Sequence, residues 1–299
     1  MKKIITILLV FLLSFPTIQA QVDTTEYENE DDWNWHWDDN WWNWKHGNPF
    51  LELSYGIGQS EHKNMASKFS KIGLAELKLG YLSIDYHDDT VIRFNERFSF
   101  VSKLETKLQS DKKASHLPTE MFRFGFGRRS GYGYKCENLF ILPYTQNSMI
   151  WSKLKMKDYP VSILPVPNPY DVQKDLEIID RYENNFRFGT AMEGGIQIGL
   201  SSVILFNAGY EAAIIFPRHM VWKHLGSYAI EMAGYNALDN FIDEVIESSP
   251  IAGPIVSFIL KNAYSYVFFQ LKKDKMNWPF DTETPLTYET FKFGVTFNF

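Results

Sequence analysis

The sequence predicts an all-β chain that closes as an antiparallel barrel of eight strands and meets lipid on its outer face. Ten to twelve strands remain open as alternatives. Three observations carry this prediction. Apolar and polar residues alternate in short segments along most of the chain, the connections between segments alternate short and long, and the last segment is itself an alternating strand. There Phe291, Phe293, Val295, Phe297 and Phe299 share one face, with Lys292, Gly294, Thr296 and Asn298 on the other. Period-two alternation marks a strand with one apolar face.

The earlier strands follow in order. Leu51, Leu53, Tyr55 and Ile57 alternate with Glu52, Ser54, Gly56 and Gly58, and Ala75, Leu77, Leu79 and Tyr81 with Glu76, Lys78 and Gly80. Ile92, Phe94, Phe98 and Phe100 alternate with Arg93, Asn95, Arg97 and Ser99, although Glu96 breaks the apolar side. Phe122, Phe124 and Phe126 alternate with Arg123, Gly125 and Gly127. A fifth strand near 138–145 is weakened by Pro143. Phe186, Phe188, Met192, Ile196, Ile198 and Leu200 then oppose Arg187, Glu193 and Gln197. Ile204, Phe206, Tyr210, Ile214 and Phe216 oppose Asn207, Gly209 and Glu211, after a tight turn at Ser201-Ser202. The apolar faces are large and the opposite faces small and polar. A soluble sandwich buries its large face, whereas a transmembrane barrel turns it to lipid around a polar lumen.

Connections near 85–90, 130–137 and 201–202 are short, and those near 59–71, 102–118, 146–184 and 217–286 are long. Eight strands with both termini on the short-turn side produce this rhythm. A further strand pair within 146–166 would make ten. With its aromatic closing strand the chain resembles bacterial outer-membrane β-barrels. The resemblance implies that Phe291, Phe293, Phe297 and Phe299 form a signal for the barrel-assembly machinery. It also implies a Gram-negative outer membrane as the location, outer-membrane lipid as the surroundings and periplasmic termini.

Residues 1–20 read as a secretory leader: Lys2 and Lys3, the apolar run Ile4 to Leu13, and a small residue at Ala20. The apolar run is too short to span a bilayer. Residues 21–48 read as an acidic, Trp-rich periplasmic tail without fixed structure, and 49–299 as the barrel. The net charge is -6, and residues 21–40 carry eight acids and no Lys or Arg. The body is therefore balanced, and no basic excess points to nucleic acid. Cys136 is the sole cysteine, so no intrachain disulfide forms.

Two segments break the strand pattern. Asp171 to Tyr182 reads as a short helix. Within 217–286, Tyr228, Met232, Tyr235, Leu238, Ile242 and Val245 recur at helical spacing, with Glu231, Asp239, Asp243 and Glu247 on other faces. Ser248-Ser249-Pro250 ends that helix. Ile251 to Phe269 follows as a second apolar helix or a strand. An eight-stranded lumen cannot hold a helix, so the insertion then caps the barrel or lies against it.

Three groups of residues are candidates for function. Arg93, Arg97, Arg123, Arg187, Glu193 and Glu211 are predicted to share the lumen. Glu193 and Glu211 pair as acid and base in a catalytic reading, and all six form a structural charge network in the other, since buried charges need partners. Trp33, Trp35, Trp37, Trp41, Trp42 and Trp44 suit an interface with lipid headgroups, a glycan or a periplasmic protein. Ser201, Ser202, His87, His116, His219 and His224 are the candidates for a lipid-modifying enzyme, but no nucleophile-elbow motif accompanies them. No spacing matches a metal site, and no cofactor is expected. The leading expectation is a non-catalytic, porin-like barrel for passage or binding of small or lipidic molecules, or for envelope structure. Lipid modification, and secretion or adhesion through the tail and helical cap, are the alternatives.

Overall fold

A computed structural model describes residues 47–86, 90–108, 116–136, 139–156 and 169–299. The leader and the Trp-rich tail lie outside the described residues, and so do the expectations placed on them. Eight strands form: β1 (Asn48–Glu61), β2 (Lys71–Tyr86), β3 (Val91–Glu105), β4 (Thr119–Cys136), β5 (Leu139–Met156), β6 (Phe186–Gly199), β7 (Ile204–Ile215) and β8 (Leu286–Asn298). Each pairs with the next and β8 closes on β1, giving an antiparallel barrel. Following directly opposed residues from Phe50 through Gly80, Phe98, Gly127, Ser148, Ala191, Ala213 and Tyr288 returns to β1 at Ser60, ten residues along. Such a stagger over eight strands tilts them by roughly 35–45° and leaves an interior that side chains fill.

Both ends of the described chain lie at one rim, where β2 ends and β3 begins, β4 ends and β5 begins, and β6 ends and β7 begins; we call it the termini end. The opposite rim is the loop end. β5 runs well past the predicted 138–145, to Met156, so no extra pair exists in 146–156 and the count is eight. Pro143 has no N–H to donate. The β4–β5 pairing breaks between Ile141 and Thr145 and resumes in the same register. It can do so because the β5–β6 ladder continues through Pro143 opposite Ile196.

Alternation places the apolar faces of six strands outward, and β5 is mixed, with Leu142, Tyr144, Ile150 and Leu154 inward. Leu53, Tyr55, Leu79, Phe122, Phe124, Phe126, Ile196, Ile198, Phe206, Phe291 and Phe293 are exposed. β3 is the exception. Phe94, Phe98 and Phe100 point inward and are buried. Arg93 and Arg97, predicted in the lumen, therefore lie on the outer face. The cause is Glu96, which shares the parity of the Phe residues and reaches the lumen cation Arg129 at 2.9 Å. A strand offers one face to one side, and the buried charge takes the Phe side chains in with it.

The loop end is closed by α1 (Pro169–Asp180), the helix expected near 171–182. Its buried Asp175 carboxylate accepts the N–H groups of Ala66 (2.9 Å) and Ser67 (2.8 Å) and ties down the β1–β2 loop. Phe69, Leu117, Met121, Leu154, Ile179 and Leu286 are buried beneath it. His62 packs edge-on to Tyr182. Its Nε2 lies 3.2 Å from the Thr284 carbonyl, and its Nδ1 accepts the Asn64 N–H at 3.3 Å. A donor at Nε2 and an acceptor at Nδ1 describe the neutral ring. Burial holds its pKa below the ordinary value of 6.5, against the opposing pull of the Thr284 carbonyl. The neutral ring thus stabilises this closure above that pH, and the contribution is lost as pH falls below it. The protection factors of the Ala66 and Ser67 amides, with the intrinsic pH dependence of exchange divided out, are expected to fall on acidification below about 6.5. His62→Phe should flatten that dependence, and an unchanged pH profile in the variant would refute the assignment.

The remaining insertion forms a helical hairpin, α2 (Val221–Ser248) and α3 (Gly253–Asp274). It lies against the outer wall of the barrel. Near the termini end, Tyr134 of β4 donates to the Ile251 carbonyl and Tyr132 donates to Asp243 at 3.0 Å. Midway, Asn262 Nδ2 donates to the Tyr144 carbonyl at 3.2 Å. Beside it the outward Gly194 leaves room: a Cβ there would stand 2.3 Å from Asn262 Oδ1. At the loop end, Lys273 meets Glu61 at 2.7 Å and Glu289 at 3.2 Å. α3 therefore runs the height of the wall.

Candidate functional site

The lumen holds the densest chemistry among the described residues. Five carboxylates (Glu52, Glu76, Glu96, Glu193, Glu211) meet four cations (Lys78, Arg123, Arg129, Lys292), all buried. β1, β2, β3, β4, β6, β7 and β8 each project at least one of them at inward parity, so closure of the barrel assembles the set. Two lobes are visible. Toward the loop end, Arg123 bonds Glu211 at 2.6 Å and Glu76 at 2.9 Å. Lys292 bonds Glu76, Glu193 and Glu211 at 2.5, 2.9 and 3.0 Å. Toward the termini end, Arg129 bonds Glu52 at 2.7 Å as well as Glu96, and Lys78 bonds Glu52 at 2.8 Å. Glu193 links the lobes through Lys292 and through Gln146, which donates to it at 3.1 Å.

Neutral groups add further donors to the carboxylates. Tyr144 donates to Glu193 at 2.6 Å, Gln197 to Glu96 at 3.1 Å and Thr296 to Glu52 at 3.1 Å. Arg129 lies over the Tyr144 ring at 4.4 Å and Arg123 over the Tyr288 ring at 4.9 Å. Small residues make this packing possible: a Cβ on Gly195 would lie 2.5 Å, and one on Gly209 2.6 Å, from the Tyr144 hydroxyl. Apolar layers bracket the charges. Phe50, Leu82, Phe94 and Leu142 fill the lumen toward the termini end, and Leu74, Leu104, Met121 and Leu154 fill it toward the loop end. Buried charges in a low dielectric need this density of partners.

Of the six residues predicted to share the lumen, Arg123, Glu193 and Glu211 meet there. Arg93 and Arg97 face outward. Arg187 stands at the loop end of β6, and its buried Nε has no hydrogen-bond partner among the described residues. Glu193 and Glu211 are directly opposed across β6 and β7, but both are committed to Lys292 and sealed from solvent, which leaves a substrate no approach. Sequence reasoning left out Glu52, Glu76, Lys78, Glu96, Arg129 and Lys292. Alternation already set Glu52, Glu76, Lys78 and Lys292 opposite the apolar faces and could have found them; Arg129 stood at the predicted end of its strand, where a solvated charge was expected. Phe291, Phe293 and Phe299 are exposed on the outside of β8 and Phe297 is partly so. Ser201 and Ser202 sit in the turn at the termini end. His219 and His224 pack on Phe188, at the loop end of β6. Those Ser and His residues therefore form no nucleophile–base pair.

The fold and its filled lumen define the class: a closed eight-stranded antiparallel barrel, staggered by ten residues and cored by an ion-pair network. Among solved structures the chain is similar to the crystal structure of Neisserial surface protein A (NspA), with a TM-score of 0.41 and 8% sequence identity, covering 84% of this chain and 97% of that one. No protein-family model matches the chain, and no curated protein matches its sequence.

Proposed function

We propose that the protein is an integral outer-membrane barrel without catalytic activity, which acts through its surfaces in binding or in envelope structure and not as a pore. The sealed lumen carries this reading. Nine paired charges between two apolar layers occupy the space that passage would need, and the exposed aromatic and aliphatic belt supports a lipid-facing exterior. In this reading the termini are periplasmic, β8 with its four Phe residues is recognised by the barrel-assembly machinery, and the Trp-rich segment 33–44 engages a periplasmic protein or glycan. The test is electrical. Folded protein inserted in planar bilayers is expected to give no unitary current steps. Stable, reproducible steps would overturn the sealed-barrel reading.

A further inference from the structure

We infer that the α2–α3 hairpin lies within the lipid bilayer, clasped to the barrel wall, with acyl chains covering its outward face. The inference rests on the outer-membrane reading above. It is carried by the polarity of the two helices, which is inverted relative to a hairpin exposed to water.

The buried face of α3 carries Ser257, Lys261, Ser265 and Lys272 turned toward protein, joined by Phe268 and Phe269 toward the loop end. Its exposed row is Ile251, Ile255, Ile259, Ala263 and Tyr266, at steps of four and three residues. The acids of α2 follow the same rule: Asp239 pairs with Lys261 at 2.5 Å and Glu231 pairs with Lys272. From Trp222 to Phe241 the outward charges of α2 are two, both partnered: Asp239, paired with Lys261, and Lys223 at the loop end, which donates to the Asp281 carbonyl at 2.8 Å. That stretch is about 30 Å long, and the exposed row within α3, from Ile255 to Tyr266, about 17 Å before Ile251 extends it through the turn, against an apolar band about 25 Å tall on transmembrane barrels. The charged residues outside these stretches fall at the two rims: Asp243, Glu244 and Glu247 toward the termini end, and Lys273, Asp274 and Lys275 toward the loop end. Trp222, exposed at the loop end, sits where indole favours the membrane–water boundary.

Among the described residues no helix is long and apolar enough to cross a membrane. Lys261, Asn262 and Lys272 make α3 too polar as a whole, but they face the barrel or the partner helix. A helix with a protein wall behind it needs an apolar surface only on its outward side, and ionisable groups within bilayers face protein and pair. The hairpin's outer face also continues the apolar belt of the barrel. Acyl chains already cover that belt in the outer-membrane reading, so lipid is the occupant that this continuity selects.

Spin labelling in vesicles of phosphatidylethanolamine and phosphatidylglycerol tests the placement. Cys136 is first replaced by Ser, because it is exposed. Nitroxides are then placed at Ile259→Cys and Ala233→Cys on the hairpin, Phe293→Cys on the barrel belt and Glu247→Cys at the rim. Oxygen should collide more often than a nickel chelate at 259, 233 and 293, with the order reversed at 247. Nickel-dominated collisions at 259 and 233, with 293 still oxygen-dominated, would overturn the inference and leave the barrel reading standing. Labels at 259 and 233 shielded from both reagents would overturn it in favour of a second copy. Nickel-dominated collisions at 293 as well would overturn the outer-membrane reading and the inference with it.

Discussion

Arg129→Met is expected to cost about 3–5 kcal/mol of stability, the loss that follows when one partner of a buried ion pair is removed. Arg129 is fully buried and holds Glu52 and Glu96 at once, with Gln146 on its Nε at 3.2 Å. Methionine fills much of the volume but offers no donor. Glu52 keeps Lys78 at 2.8 Å, whereas Glu96 retains Gln197, a neutral donor, at 3.1 Å. The penalty therefore concentrates on Glu96, and adding Glu96→Gln to Arg129→Met should recover part of the loss. Denaturant titration of the folded protein in lipid vesicles measures both variants. The solvated Lys63–Asp274 pair is the control, with side chains more than half exposed. Its removal should cost at most about 1 kcal/mol. Equal losses at the two sites would contradict the buried network.

Phe293→Arg separates a membrane barrel from a soluble one by its size. Phe293 is 64% exposed in the middle of β8. In water, an arginine at so open a position would change stability by a few tenths of a kcal/mol. In lipid, a charge near the bilayer midplane of a barrel costs about 2–4 kcal/mol. The large loss is expected, read from the same titration, and it should shrink when the substitution is moved to Phe299 at the rim. A neutral Phe293→Arg would mean that this face meets water.

Much of the barrel was legible in the sequence because period two leaves a plain trace where one face is uniformly large. β6 and β7 show it best. Their outward Ile, Phe and Met side chains and inward Glu, Gly and Gln residues could be assigned without knowing any partner. The loop-length rhythm was legible for a similar reason, since turn-forming residues mark where chain direction reverses. β3 was not. Phe94, Phe98 and Phe100 suit lipid and lumen equally, and only Arg129, reaching Glu96 from the neighbouring strand, decides which way they point. β5 looked insecure because Pro143 removes one donor, a local defect that the intact ladder to β6 outweighs.

The charged core was partly legible. Glu193, Glu211 and Arg123 follow from alternation, but the division into two lobes joined through Glu193 does not. Nor does the role of Arg129, which depends on a register spanning β1, β3 and β4. The first helix of the hairpin was legible, the second segment stood open between helix and strand, and the place of both was illegible. Helical periodicity separates Ile251, Ile255 and Ile259 from Ser257, Lys261 and Ser265, but says nothing about which side meets protein.

By itself, then, the sequence determined the local preferences: a series of runs with period two, an amphipathic helix and a second apolar segment after β7, a charge-balanced body and an aromatic closing strand. These depend on residues near one another along the chain. Tertiary structure decided what each face meets, because burial belongs to a pair of surfaces. The ten-residue stagger brought five carboxylates to four cations, turned β3 inside out relative to its neighbours, and laid the polar side of α3 against the barrel wall.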